Sequence, residues 1–230
     1  MPYFYWWDPT YILVIIGALI CAAASFNVSA TFKRYSRTFN RRGITAEQCA
    51  REILHSAGIL DVRIERVNGN LTDHYSPKDK VLRLSDTVYG SGSIAAIGVA
   101  AHECGHAIQH QVGYAPLKMR TFSVPMANVG SWFSWPLIII GLIMSFDPLI
   151  KIGIILFTFV VLFQLITLPV EFNASRRALN ILSTSMILDK SEVSIARKVL
   201  SAAAMTYVAA LFSSILQLLR LLLLTRNRRN

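Results

Sequence analysis

The chain has 230 residues, 53% of them hydrophobic and 16% charged, with a formal net charge of +10 and a pI near 9.9. An ordinary soluble domain carries about a quarter charged residues, so this balance excludes that class and points to a membrane protein. The basicity does not make it a nucleic-acid binder: no aromatic-basic recognition motif is present, and the positive residues cluster beside apolar segments, as a positive-inside bias requires. Cys21, Cys49 and Cys104 fall in a membrane segment, a soluble segment and a motif helix, without C-x-x-C spacing, and imply no disulfide framework.

Residues 9–32 are 24 residues without a charge, enough to cross a bilayer as a helix. Tyr3, Phe4, Tyr5, Trp6 and Trp7 precede them as an aromatic interfacial belt. No positive n-region leads this run, so it reads as a retained anchor rather than a cleaved signal peptide. Lys33, Arg34, Arg37, Arg41 and Arg42 follow at once, which places this end in the cytoplasm and the N-terminus outside. Thr45 and Gln48 form a capping box for a helix through Ala57, stopped by Gly58. Residues 61–67 and 71–76, around Asn68-Gly69-Asn70, predict a hairpin, and residues 81–85 a third strand of a small antiparallel sheet.

The next segment carries the chemistry. His102-Glu103-Cys104-Gly105-His106 is an H-E-x-x-H sequence in a run that predicts a helix, with Ser91 or Ser93 as N-cap and Gly113 as the stop. Histidines four apart lie on one helix face, about 6 Å apart along the axis, and both reach one ion. Glu103 projects beside them, where it can take a proton from an attacking water. A five-residue pattern can arise by chance, and buried histidines are often core residues. Against that, Glu103 is the only formal charge between Asp86 and Lys118, and burying it alone would be costly. His110 lies about 12 Å along the axis from His102, too far to bind the same ion, and supports the site or the fold instead. Cys104 points away from the histidine face, into packing.

Residues 121–146 and 152–170 predict a membrane hairpin, with Asp147-Pro148 as its turn and Pro125 and Pro136 ending or kinking its first arm. Residues 202–224 form a fourth apolar segment, which either crosses, is re-entrant or lies on the membrane, because a full crossing puts Arg226, Arg228 and Arg229 outside. Thirteen Lys and Arg between 33 and 120, and five between 176 and 198, place 18 of 23 on one side in this topology.

A catalytic zinc site takes a third protein ligand. Glu171 is the choice, an acid at the end of an apolar segment, brought by the hairpin back to the side that His102 and His106 occupy. Asp147 is on the wrong side by a hydrocarbon thickness, roughly 30 Å. Asp189 and Glu192 read as solvated carboxylates, and replacing Glu192 should do little.

With these residues in view, the chain resembles the YugP-type membrane zinc metallopeptidases, also called neutral zinc metallopeptidases. The resemblance rests on residues 101–106 followed by Ala107-Ile108-Gln109-His110, on Leu168-Pro169-Val170-Glu171 with Ala174-Ser175-Arg176-Arg177, and on Asp73-His74-Tyr75-Ser76-Pro77. It spans nearly the whole chain. It implies a gluzincin-like core distantly similar to HtpX-type proteases, with His102, His106 and Glu171 as ligands of Zn2+ and Glu103 as base. HtpX-like enzymes have Glu-x-x-x-Asp, and this chain has Ser175 at that Asp position, so orientation of a histidine is expected to fall to another group.

The expected fold is a mainly α integral membrane protein with about four transmembrane helices, a zincin-like H-E-x-x-H helix and a small antiparallel sheet. Its parts are an anchor (1–32), a cytoplasmic zincin-like part (33–120), a transmembrane hairpin (121–170), a third-ligand segment (171–201) and a membrane segment with basic tail (202–230), built as one catalytic domain. The expected function is zinc-dependent endopeptidase action on protein or peptide substrates, membrane-associated ones above all, at the cytoplasmic face of the plasma membrane. The lipid bilayer is a partner and nucleic acid is not. The small sheet could align a substrate by edge-strand pairing, and Tyr207, His74 and Arg176 are candidate oxyanion donors. The rivals are a non-enzymatic membrane adaptor with a structural or inactive metal site and a zinc hydrolase acting on a non-peptide bond.

Overall fold

The computed structural model describes residues 9–227; the aromatic belt at 3–7 and the arginines at 228 and 229 lie outside them. The element order is α1 (Tyr11–Tyr35), α2 (Ala46–Ser56), β1 (Arg63–Val67), β2 (His74–Ser76), β3 (Val81–Ser85), α3 (Ile94–Gln111), α4 (Ala115–Ile143), α5 (Asp147–Thr184) and α6 (Lys190–Asn227). Among the described residues, α1, α4, α5 and α6 are long and apolar enough to cross a membrane. The chain is thus a mainly helical, multi-pass membrane protein, as its composition requires. It divides into two compact units.

One unit falls within Met1–Ser25, Met119–Leu168 and Thr206–Asn230. Its apolar centre gathers Ile138, Ile150, Ile154, Phe157, Val161 and Leu211, while Trp132, Phe133 and Ile143 stand exposed, as lipid-facing residues do. Helices in lipid pack through small residues that let backbones approach. A Cβ on Gly130 would lie 2.5 Å from the Leu156 carbonyl oxygen, and one on Gly153 would lie 2.8 Å from that of Ser134, so α4 and α5 meet at two glycines. Pro125 and Pro136 do not end α4, which runs through both, because in lipid an interrupted helix strands more backbone groups than one missing N–H does. The fourth apolar segment lies antiparallel to α1. The Arg220 guanidinium sits 4.1 Å from the Tyr11 ring centroid, Gly17 packs on Ser213, and the Cys21 thiol donates to the Ala209 carbonyl. A segment paired in this way along α1 is, like α1, long and apolar enough to cross a membrane.

The second unit falls within Phe26–Lys118 and Pro169–Met205. Thr45 caps α2 as the sequence requires: its hydroxyl accepts from the Gln48 N–H, and the Gln48 side chain accepts from the Thr45 N–H. The buried face of α2, Ala46, Cys49, Ala50, Ile53 and Leu54, follows the helical period and packs on α3. Ser93 caps α3, accepting from the Ala96 N–H, and Gly113, at φ +64°, follows its end. Cys104 is fully buried, its thiol directed at the Ala50 carbonyl, and burial pushes the Cys49 thiol up to about 12. Both are packing residues.

The sheet departs from the expectation. Its order is β1-β3-β2, with β1 parallel to β3 and β2 antiparallel to it, so it is mixed, and residues 61–67 and 71–76 do not form a hairpin. The reason lies in side-chain burial. Val81, Leu82, Leu84 and Ser85 are fully buried, which demands cover on both faces and both edges, whereas β1 and β2 carry exposed residues suited to edges. The Asp86 carboxylate anchors the connection, accepting from Arg66 Nε at 2.6 Å and from the Gly69 N–H at 3.2 Å.

Glu192 is not solvated. It is 5% exposed, and its carboxylate accepts from the Arg41 N–H at 2.8 Å and the Asp189 N–H at 2.9 Å, while Asp189 accepts from the Glu192 N–H. This is a capping box at the start of α6 that also ties down the chain after α1. Glu192→Ala is therefore expected to destabilise the protein by about 1–3 kcal/mol, the cost of orphaning buried donors, read as a lowered melting midpoint in detergent with metal content unchanged. α3 and α5 approach closely at Gly105: a Cβ there would lie 2.6 Å from the Ala174 carbonyl oxygen. Gly105→Ala should cost a further about 1–3 kcal/mol by overpacking and, unlike Glu192→Ala, should also lower metal content.

Candidate metal centre

α3 presents His102 and His106 one turn apart, with ring centroids 4.7 Å apart and rings nearly perpendicular. α5 brings Glu171 opposite them because Gly105 and Ala174 let the two backbones close. Glu171 Oε2 lies 3.2 Å from His102 Nε2 and 3.6 Å from His106 Nε2. One ligand atom from each of the three residues lies within 4.8 Å of the others, so they could hold one metal ion. Glu171 is 3% exposed, and the two histidine side chains are 16% and 12% exposed.

The donors are oriented for ligation. The Gln109 amide donates through Nε2 to the Val170 carbonyl at 2.8 Å and to Asn173 Oδ1 at 3.0 Å, so its oxygen is the atom 3.0 Å from His106 Nδ1. An oxygen accepts; the proton of neutral His106 is therefore on Nδ1, and its Nε2 lone pair faces Glu171. Asn173 is held in turn by Arg177, whose Nε donates to Oδ1 at 2.8 Å. Ser175 Oγ lies 3.0 Å from His102 Nδ1 and plays the matching part there. Ser175 itself, rather than a group elsewhere, is thus the residue that holds His102. Two imidazoles and one buried carboxylate are a zinc-type donor set. The pocket also favours a cation: burial lowers the pKa of His106, but the carboxylates of Glu171 and Glu103 raise it overall.

Glu103 is buried beside this group. Its Oε2 accepts from the Tyr75 N–H of β2 at 2.9 Å, so the outer edge of the sheet faces it. The Tyr75 hydroxyl lies 3.0 Å from His110 Nδ1, which gives His110 a place in holding β2 against α3 rather than at the metal. Asp73 accepts from the Ser85 N–H at 2.7 Å and its hydroxyl at 2.9 Å, fixing the start of β2. Burial raises the Asp73 pKa, partly offset by those bonds.

Of the candidate oxyanion donors, His74 is exposed and its Nε2 lies 3.4 Å from Arg83, Arg176 lines a cleft between α5 and α6, and Tyr207 belongs to the other compact unit. Gln109 and Tyr75 stand in the sequence motifs quoted above without an assigned role, and no role was expected of Asn173 either. A polar Gln one turn after His106 on an otherwise apolar helix is the signal that could have found the first.

No solved structure matches the chain significantly. A curated relative, "Putative membrane protease YugP" of Bacillus subtilis (strain 168), is 45% identical over 221 residues, 96% of this chain and 98% of its own length. The family model described as "Putative neutral zinc metallopeptidase" matches residues 10–226. With nearly every element of the fold inside that match, the chain belongs to the neutral zinc metallopeptidase family.

Proposed function

We propose that this protein is a zinc-dependent endopeptidase of the membrane, hydrolysing protein or peptide substrates at the cytoplasmic membrane face, with His102, His106 and Glu171 as metal ligands and Glu103 as general base. The observation that carries the reading is the convergence of three oriented donors with a buried carboxylate beside them. A structural metal site has no use for that fourth group. When bound, zinc supplies a Lewis acid for the scissile carbonyl and makes water acidic enough to attack near neutral pH.

The chain's own residues do the rest. Glu103 takes the proton of the attacking water and returns it to the leaving amine; the Tyr75 N–H, engaging Oε2, fixes the carboxylate's direction. β2 is an edge strand whose Tyr75 backbone faces Glu103, so an extended peptide laid along it brings its scissile bond to the base. Gln109 and Ser175 keep both imidazoles neutral at Nε2 and aimed at the ion. The cytoplasmic face is supported by the 18 of 23 Lys and Arg on the two stretches that flank the site in sequence. The part from residue 33 to 120 and the segment 171–201 act as one catalytic domain.

Three outcomes test this. Glu103→Gln should keep stoichiometric zinc and lose proteolysis of a casein or membrane-protein substrate by at least about 10²-fold; wild-type rates would remove the base. Glu171→Ala should lose zinc and activity together, measured by metal analysis of purified protein, whereas Gln109→Leu should weaken zinc by about 10–100-fold without unfolding the chain. Cysteines placed near Asn68 should resist an impermeant thiol reagent in intact cells and react after permeabilisation, and labelling in intact cells would reverse the orientation.

A further inference from the structure

Several cations of the unit that holds His102, His106 and Glu171 are matched to a carboxylate, among them Arg41 to Asp189, Arg42 to Glu52, Arg51 to Glu47, Arg66 to Asp86 and Lys80 to Asp61. Arg34 and Lys198 have no carboxylate partner among the described residues. Both line a crevice of about 380 Å³ between α1 and α6. Tyr35, Asn27 and Thr31 add hydrogen-bonding groups to its lining, and Met205 gives it an apolar end. The Arg34 guanidinium lies 5.5 Å from the Tyr35 ring centroid, which restrains it.

The position of this crevice along the chain is informative. Arg34 comes two residues after the uncharged run 9–32, and Lys198 comes four residues before the apolar run 202–224. The crevice therefore falls at the boundary between water and hydrocarbon, polar where the charges are and apolar where Met205 is. A positive-inside bias needs only cations on a surface. It needs neither a cleft between them nor polar groups lining it.

We propose that the α1–α6 crevice binds the headgroup of an anionic phospholipid from the bilayer, its phosphate bridged by Arg34 and Lys198 and its acyl chains leaving past Met205. A zwitterionic lipid would bring its own ammonium group against these two cations and is disfavoured. The site involves none of the metal-binding residues and stands whether or not the protein is a peptidase.

The test uses the full chain in mild detergent, titrated with short-chain phosphatidylglycerol, short-chain phosphatidylcholine and inorganic phosphate, with the melting midpoint as readout. Wild type should show a saturable upward shift with phosphatidylglycerol alone. Arg34→Gln/Lys198→Gln should need roughly thirtyfold more of it, from the attraction of two basic residues to an anionic surface. Lys33→Gln/Arg37→Gln removes the same charge outside the crevice and should titrate like wild type. Met205→Trp fills the apolar end without changing charge and should also lose the shift, which keeps the test decisive if the double variant folds poorly. Equal losses in the two charge-removing pairs, equal shifts with both lipids, or a shift reproduced by inorganic phosphate at the same concentration would each overturn the proposal.

Discussion

The close approach of α3 and α5 where Gly105 meets the Ala174 carbonyl is the constraint on which the centre of this protein depends. Helices separated by ordinary side chains run about 8–10 Å apart, and three donors from two such helices would have to stretch to share one ion. With no Cβ at Gly105, the backbones close until Glu171 Oε2 is 3.2 Å from His102 Nε2. The same closeness buries Glu171 and lets Gln109 of α3 reach the Val170 carbonyl and Asn173 of α5. A single glycine inside the motif thus sets the geometry of both the proposed ligands and the groups that aim them.

The sheet is small but not incidental. Asp73 pins the start of β2 to Ser85 at the end of β3, and the Tyr75 N–H then meets Glu103. The motif 73–77 is therefore structural in its first residue and, in the proposed mechanism, directing in its third. Burial of Glu103 without that amide would leave a carboxylate oxygen with no partner, at a cost of a few kcal/mol. A proposed base held by the strand that is proposed to hold the substrate couples alignment to chemistry through one backbone group.

The membrane-type unit obeys a different rule. Apolar side chains gain nothing there by turning inward, so its exposed surface is rich in Trp, Phe and Ile while its contacts run through glycines 130 and 153 and through Gly17 on Ser213. Its one charge within the apolar run 202–224, Arg220, is stacked on Tyr11 at 4.1 Å. An intramembrane cation needs such a partner. This contact also places the far end of α6 beside the start of α1.

Much was legible in the sequence because it is written in local rules. The i, i+4 spacing of His102 and His106 follows from 3.6 residues per turn, the capping box at Thr45 and Gln48 from unsatisfied N–H groups, and the spans from the length of uncharged runs. Even Glu171 could be singled out, since the hairpin of 121–146 and 152–170 must return the chain to the side it left. What the sequence could not contain were choices between partners distant in the chain. The adjacency of residues 61–67 and 71–76 suggested a hairpin, but the fully buried β3 required a neighbour on each edge and displaced that pairing. Glu192 looked solvated by its polar neighbours and is instead buried between Arg41 and Asp189, 151 and three residues away. Ser175 and Gln109 became the groups that orient the histidines only once α3 and α5 had closed at Gly105. Periodicity and charge act within a few residues and can be read along the chain, whereas burial and hydrogen bonding are settled by whatever the fold brings within about 3 Å, and that is decided in three dimensions.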